Sequence, residues 1–250
     1  MRYVLCVTNP YIEQMASETN NAVAQPDYSI AVMCYNEEGN LREMVERTLA
    51  TMRKTGVTFD ILIINDGSKD KSGEIADALA KENREVRVLH HSPNKGIGSV
   101  LIAGYGQTRG KVAAILPADL QFAPEDMPAA MKALDGADVV NITRPQRNDP
   151  FKRKVISFID RSLVRVFFGL RAADLHWVKL YRRGVLDKIT IVSRTPLVDT
   201  ELLIKANRMK AKIVELPLQH YPRVAGQSTG GNLKLLIKTF LELWKLRLKI

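Results

Sequence analysis

Two rhythms of apolar and polar positions alternate along most of the chain. Short, nearly continuous apolar runs recur: SIAVMCY from residue 29, FDILIIND from 59, VRVLHH from 86 and KVAAILPAD from 111. Each is too short for a core helix and predicts a buried strand. Between the first two, EEGNLREMVERTLATMRKTG places apolar residues three and four apart and closes at Gly56, which predicts an amphipathic helix with a glycine stop. GSKDKSGEIADALAKEN predicts a turn and helix, and NKGIGSVLIAGYGQTRG a Gly-rich loop leading into a helix. This alternation predicts an α/β fold with a parallel, doubly wound sheet, in which ligands bind beyond the carboxyl ends of the strands. Those ends carry CYNEE, NDGS and PADLQ.

Beyond ADVVNITRP the pattern loosens. A basic stretch from Arg144 to Arg171 contains a helical segment, VISFIDRSLVRVFFGL. A strand-like WVKLYRR follows, then a helix (VDTELLIKANRMK), a strand (KIVELPLQHYPR) and a final helix. This half is expected to fold back onto the sheet as an acceptor-binding region. Residues 1–27 read as an extension, 28–230 as one domain and 231–250 as a basic amphipathic helix.

With 250 residues and 46% hydrophobic content, the chain can build a substantial core without staples. Cys6 and Cys34 lack CxxC spacing, so neither a disulfide framework nor a zinc site is indicated, and a reducing cytoplasm is expected. No run reaches the roughly 18 apolar residues that span a bilayer, and no signal peptide is legible, so an integral membrane protein is not expected. The net charge of +10 asks for an acidic partner: nucleic acid, anionic lipid headgroups or phosphorylated small molecules. No nucleic-acid-binding module is recognisable, and nucleic acid is set aside.

Taken singly, the strand-end motifs are ambiguous. NDGS at 65–68 suits a βα turn with a capping Asp or Ser, and equally an Asp66 that accepts a hydrogen bond from a nucleotide. In CYNEE, Asn36 could cap the next helix while Glu37 or Glu38 complements its positive end. NKGIG at 94–98 lets backbone approach an anion, with Lys95 adding charge. LPADLQFAPE drops Asp119 beyond a buried strand, either as a turn cap or as a ligand.

In this order and spacing, YNEE, INDGS, NKGIG and PADLQ resemble the family 2 inverting glycosyltransferases, over roughly residues 28–230. The branch they look most like is the dolichyl-phosphate or polyprenyl-phosphate sugar transferases. The resemblance implies a GT-A fold, a mostly parallel Rossmann-like sheet flanked by helices. It also implies a GDP- or UDP-linked sugar donor, with Tyr35, Glu37 and Asp66 around base and ribose and Lys95 in a loop closing near the nucleotide. Asp119 and Gln121 match a motif, usually Asp-Ala-Asp-x-Gln, that holds Mg²⁺ or Mn²⁺ against the diphosphate. Pro117 stands where that motif has its first aspartate. Because Mg²⁺ commonly uses one or two carboxylates plus substrate phosphates, one carboxylate and one amide can suffice, with weaker metal affinity in the absence of nucleotide.

Further along, ADLHWVKLYRR resembles the family stretch that places Asp174 near the reacting centre and Lys179 at a basic position. HYPRVAGQS resembles Arg-x-x-Gly-x-Ser, which places Arg223 and Ser228 at diphosphate or acceptor phosphate, with Arg144 flanking them. In VDTELL, Asp199 or Glu201 matches a general base for a hydroxyl acceptor, whereas a lipid phosphate needs none. The expected acceptor is polyprenyl phosphate at the cytosolic membrane face; a soluble hydroxyl acceptor and a non-catalytic nucleotide-sugar binder stay open. On a helical wheel of residues 231–250, Lys234, Lys238, Glu242, Lys245 and Lys249 share one sector amid Leu, Ile, Phe and Trp. Such a helix suits peripheral membrane contact, docking on the catalytic domain, or a homo-oligomer interface.

Overall fold

The computed structural model describes residues 24–145, 151–222 and 241–248. Seven strands form one sheet in the order β3-β2-β1-β4-β6-β5-β7. They are β1 (Tyr28–Cys34), β2 (Phe59–Asn65), β3 (Val86–His90), β4 (Val112–Pro117), β5 (Val139–Thr143), β6 (Lys179–Arg182) and β7 (Ile213–Pro217). All pairings are parallel except those of β6, which runs antiparallel to both β4 and β5. The four apolar runs that open the sequence thus become adjacent strands, as their hydrophobic continuity requires of a sheet covered on both faces.

Alternate strand residues feed two cores. Ile30, Val32 and Cys34 point to one face, where α1 (Leu41–Thr55), α2 (Ser72–Glu82) and α4 (Met127–Ala133) bury Leu41, Met44, Leu49, Leu79 and Met127. Ala31, Leu62 and Tyr181 point to the other, against α3 (Ile97–Gln107), α5 (Phe151–Phe168) and α7 (Leu197–Arg208). A short helix, α6 (Arg183–Leu186), follows β6, and residues 241–248 form α8, whose Leu243 and Leu246 join the second core. Helix α1 stops at Gly56, which takes the left-handed conformation (φ 73°) that glycine adopts at little cost. Cys34 lies in the core, and burial pushes its thiol up to about 11, so it is not a reactive nucleophile. Cys6, with most of the 1–27 extension, lies outside the described residues.

The antiparallel β6 determines what meets at the ligand edge. Asn141 of β5 pairs with Lys179, so the start of β6 lies beside the carboxyl ends of its neighbours. The segment 170–178 therefore reaches the same edge as the tips of β1–β5. There Asn141 Nδ2 donates to the Asp174 carbonyl, and the Ala173 N–H donates to Glu215 on β7.

Candidate active site

Along the carboxyl edge, the loops after β1 and β2 are laced together. The Asn36 N–H donates to Ser68 Oγ, the Lys69 N–H to Asn36 Oδ1, the Glu37 N–H to Ser72 Oγ and the Lys71 N–H to a Glu38 carboxylate oxygen. Asn36 itself takes a left-handed backbone (φ 54°) and does not cap α1, whose N-cap is Asn40. Glu37 accepts from Asn40 Nδ2 at 2.6 Å, so its carboxylate helps hold the start of the helix. Tyr35 is exposed beside this seam, available to a ligand's flat face.

Asp66 is buried and serves the loop after β3. Its two carboxylate oxygens take the Lys95 and Gly96 N–H groups, each at 2.9 Å, and one of them lies 2.8 Å from His91 Nδ1. The side-chain amide of Asn94 closes the arrangement on the Asp66 carbonyl. Next to it, Gly67 (φ 67°) lets the strands of this knot touch: a Cβ there would lie 2.6 Å from Asn94 N. The NKGIG loop is therefore built around a protein anion, and Lys95 is left exposed at its crest. We expect Asp66→Asn to free this loop: stability should fall by about 1.5–3 kcal/mol, the worth of a hydrogen bond to a charged group. Urea unfolding reads this loss.

At the tip of β4, Leu120 is left-handed (φ 59°) and folds the chain so that the Gln121 N–H returns to Asp119 Oδ1 at 3.1 Å. Asp119 thus shapes its own turn, as the cap reading expects. The Gln121 carbonyl accepts the Tyr221 N–H, which ties the chain leaving β7 to this turn. Among the described residues no cluster of three or more His, Cys, Asp or Glu could hold a metal alone. Asp119 and Gln121 are hard oxygen donors two residues apart, which fits a cation shared with a diphosphate and not a closed protein cage.

Beyond the tip of β5, Arg144 grips Asp174 through Nε and Nη2 at 2.7 and 3.0 Å and stacks over the Trp177 ring at 4.2 Å. Burial raises the Asp174 carboxyl, but the Arg144 hydrogen bonds and charge outweigh it and hold the group below the ordinary range. Lys179, matched to the family's basic position, is fully buried: Nζ donates to the Leu175 and Trp177 carbonyls and lies 4.0 Å from Asp199. Burial pushes its ammonium pKa down, with Asp199 and Asp174 opposing. It holds the 174–178 segment from beneath.

The two acids of VDTELL diverge. Glu201 is fully buried and accepts the Val192 and Ser193 N–H groups and the Lys205 ammonium, so it clamps the 190–195 loop and is not exposed to any acceptor. That removes it as a base. Asp199, half-buried, accepts from the Tyr105 hydroxyl at 3.0 Å and faces Lys179. Arg223 and Ser228 lie outside the described residues. The part of the C-terminal helix that is described is docked: Glu242 accepts from Thr195 Oγ1, and Leu243 and Leu246 are buried.

Several residues of this edge carry no motif signal of their own. Tyr105 sits in the last turn of α3 at a buried position, and Trp177 lies under the Arg144 guanidinium and meets His220 edge-on. His91 alone left a trace, as the second histidine closing a strand. The opposite edge has a basic depression of about 650 Å³ lined by Lys111, Arg182 and Arg183. Arg182 and Arg183 there donate to the carbonyls of Leu134, Ala137, Tyr105 and Thr108, so they hold chain ends together.

Comparison with known proteins agrees with this geometry. The chain is 33% identical over 211 residues to an undecaprenyl-phosphate 4-deoxy-4-formamido-L-arabinose transferase of Pectobacterium atrosepticum, a match covering 83% of this chain and 64% of that one. It is 32% identical over 212 residues to the protein of the same name from Edwardsiella ictaluri, with the same coverage. The chain thus spans less than two thirds of the length of these relatives. Among solved structures, glucosyl-3-phosphoglycerate synthase from Mycobacterium tuberculosis with Mn²⁺, UDP-glucose and phosphoglyceric acid superposes with a TM-score of 0.69 at 16% identity, covering 89% of this chain and 80% of that one. Its complex with Mg²⁺ and UDP gives 0.67 at 17%, covering 87% and 79%. At that identity the likeness shows the fold, which is the GT-A arrangement. A family model described as glycosyl transferase family 2 matches residues 29–190, and the chain belongs to that family.

Proposed function

We propose that the chain transfers a sugar, with inversion, from a nucleoside-diphosphate donor to the phosphate of a polyprenyl phosphate. The observation that carries the acceptor assignment is the state of the two VDTELL acids. Glu201 is locked inside the fold, and Asp199 is held between the Tyr105 hydroxyl and Lys179. A hydroxyl nucleophile needs a base to take its proton, whereas an ionised phosphate arrives ready to attack. The names of the curated relatives support the same acceptor class.

In this reading the donor's base and ribose lie over the β1 and β2 tips near Tyr35, Glu37 and Asp66, and the NKGIG loop brings Lys95 toward its phosphates. Asp119 and Gln121 would hold Mg²⁺ or Mn²⁺ at the PADLQ turn, and that ion supplies charge neutralisation to the departing diphosphate. An acceptor phosphate oxygen attacks the anomeric carbon from the opposite face. The bond to the donor diphosphate breaks, with its electron pair leaving on that diphosphate. Arg144, braced by Asp174 and Trp177, presents fixed positive charge on the acceptor side, and Arg223 and Ser228 are proposed to complete the phosphate grip. UDP is the nucleotide to test first, because the structurally similar synthase binds it.

The test pairs acceptors with a variant. Transfer should occur to a polyprenyl phosphate and not to the matching polyprenol. Asp199→Asn should retain phosphate-acceptor activity within about tenfold. A loss of the 10²–10⁴-fold typical of a missing general base would assign Asp199 that role and a hydroxyl acceptor with it.

A further inference from the structure

Helix α5 has one apolar stripe more than its packing uses. Its inward side buries Val164 and packs Phe167 and Phe168 against the second core. On the outside, Val155, Phe158, Ile159 and Val166 repeat at the three, four and eleven residue spacing of one helix face. They are left bare, Phe158 at 65% and Val166 at 77% exposure. Helix α8 repeats the arrangement: Leu243 and Leu246 go inward, while Trp244 and Leu248 stand 52% and 76% exposed. Trp244 meets Phe167 edge-on at 5.6 Å between centroids, so the two helices adjoin at that contact.

Charge identifies the occupant. Lys154 and Arg165 border the bare stripe of α5, and Lys245 and Arg247 are exposed on α8. Apolar side chains rimmed by basic ones, with a tryptophan between, match the headgroup boundary of an anionic bilayer. There the apolar groups enter the acyl region while Lys and Arg extend to lipid phosphates. No helix among the described residues is long and apolar enough to cross a membrane, so this chemistry lies along a surface. At about 1.5 Å per residue the 18-residue α5 offers a face about 27 Å long.

Helix α5 is also fastened to the candidate site. Asp160 lies 2.7 Å from His176 Nε2, and Arg161 donates to the Ala173 carbonyl, on either side of Asp174. We infer that the outward face of α5, continued by α8, seats the protein on an anionic membrane surface with the Arg144–Asp174 side of the cleft beside the lipid. Seating there brings a lipid-borne acceptor to the cleft laterally.

The test is flotation of the full chain with phosphatidylglycerol-containing vesicles and with pure phosphatidylcholine vesicles. Wild type should float with the anionic vesicles and lose binding as salt is raised. Phe158→Ser with Val166→Ser should weaken that binding at least tenfold at an unchanged unfolding temperature. Lys154→Gln with Arg165→Gln should erase the preference for anionic lipid. Should the first pair fail to fold, Val155→Ser, also at an exposed position, replaces it. Absence of wild-type binding, or serine variants that bind like wild type, overturns the inference. So does a wild-type dimer, by light scattering, that the serine variants convert to monomer, since a second copy would then cover this face. Vesicle binding requires neither donor nor acceptor, so its failure leaves the transferase proposal standing. Transfer to a short, water-soluble polyprenyl phosphate should be unchanged in the serine variants.

Discussion

Asp119→Ala is expected to lower sugar transfer by about 10²–10³-fold or more, the cost of removing one preorganised charge-stabilising group from a transferase site. Part of the structural duty of this side chain is the turn bond to the Gln121 N–H, and its loss should cost the alanine variant about 1.5–3 kcal/mol of stability. Asp119→Asn separates that duty from the charge: its amide oxygen can keep the turn while the negative charge is gone. Both variants should therefore be inactive, while the asparagine variant keeps the turn bond. A second readout does not depend on turnover. In wild type, Mn²⁺ should enlarge the thermal stabilisation given by UDP, by mass action on the folded state. In either variant UDP alone should stabilise as before, and added Mn²⁺ should contribute nothing. Full transfer by Asp119→Asn would sink the role assigned to the carboxylate, and Pro117 would then mark a chain that works without a metal clamp.

Arg144→Ala should lower stability by about 3–5 kcal/mol, because it takes the two-pronged charged partner away from a buried carboxylate. Both side chains of the Arg144–Asp174 pair are less than a tenth exposed, at 8% and 7%. Arg144→Lys keeps the charge but cannot form the two-pronged contact or the stack on Trp177, and should lie between wild type and alanine. The pair also has a pH signature. Asp174 has a folded-state pKa below its unfolded value, so its contribution is fully present above the unfolded carboxyl pKa of about 3.9. That contribution is lost as pH falls through the lower, folded value. Urea unfolding of wild type should weaken across that acid range, whereas Arg144→Ala should show a smaller pH dependence there. Equal slopes would mean that Asp174 is not stabilised by this arginine.

The sheet was legible because its information is local. Runs such as ILII at the centre of FDILIIN are continuously apolar, as a strand buried on both faces requires, and Gly56 marks a helix end by its own backbone freedom. The position of Asp119 beyond a strand tip followed from the same pattern, whereas β5, which carries Arg144 at its end, was not read as a strand. What stayed hidden depends on partners distant in sequence. WVKLYRR reads as a strand, but nothing in it states that it runs against its neighbours. Asp66 resembles a ligand contact, yet whether it meets a nucleotide or the Lys95 and Gly96 amides, 29 and 30 residues away, is settled by loop packing. Glu201 and Asp199 look equivalent two residues apart. On a helix that spacing turns them to different sides, one into the fold and one toward Tyr105.

The reversed direction of β6 has an evolutionary consequence. Strands β5 and β6 are neighbours, with Asn141 opposite Lys179, so the chain leaves the sheet and returns to it one strand spacing apart. Everything between them, including α5 and the Trp177 segment, is in effect a long excursion inserted into a hairpin. Such an excursion can be lengthened, shortened or exchanged without shifting the register of the parallel strands that frame the nucleotide side. On the proposed reading, changes in this excursion alter acceptor preference and leave the donor side in place, and residues 144–178 are the natural unit to transplant between homologues.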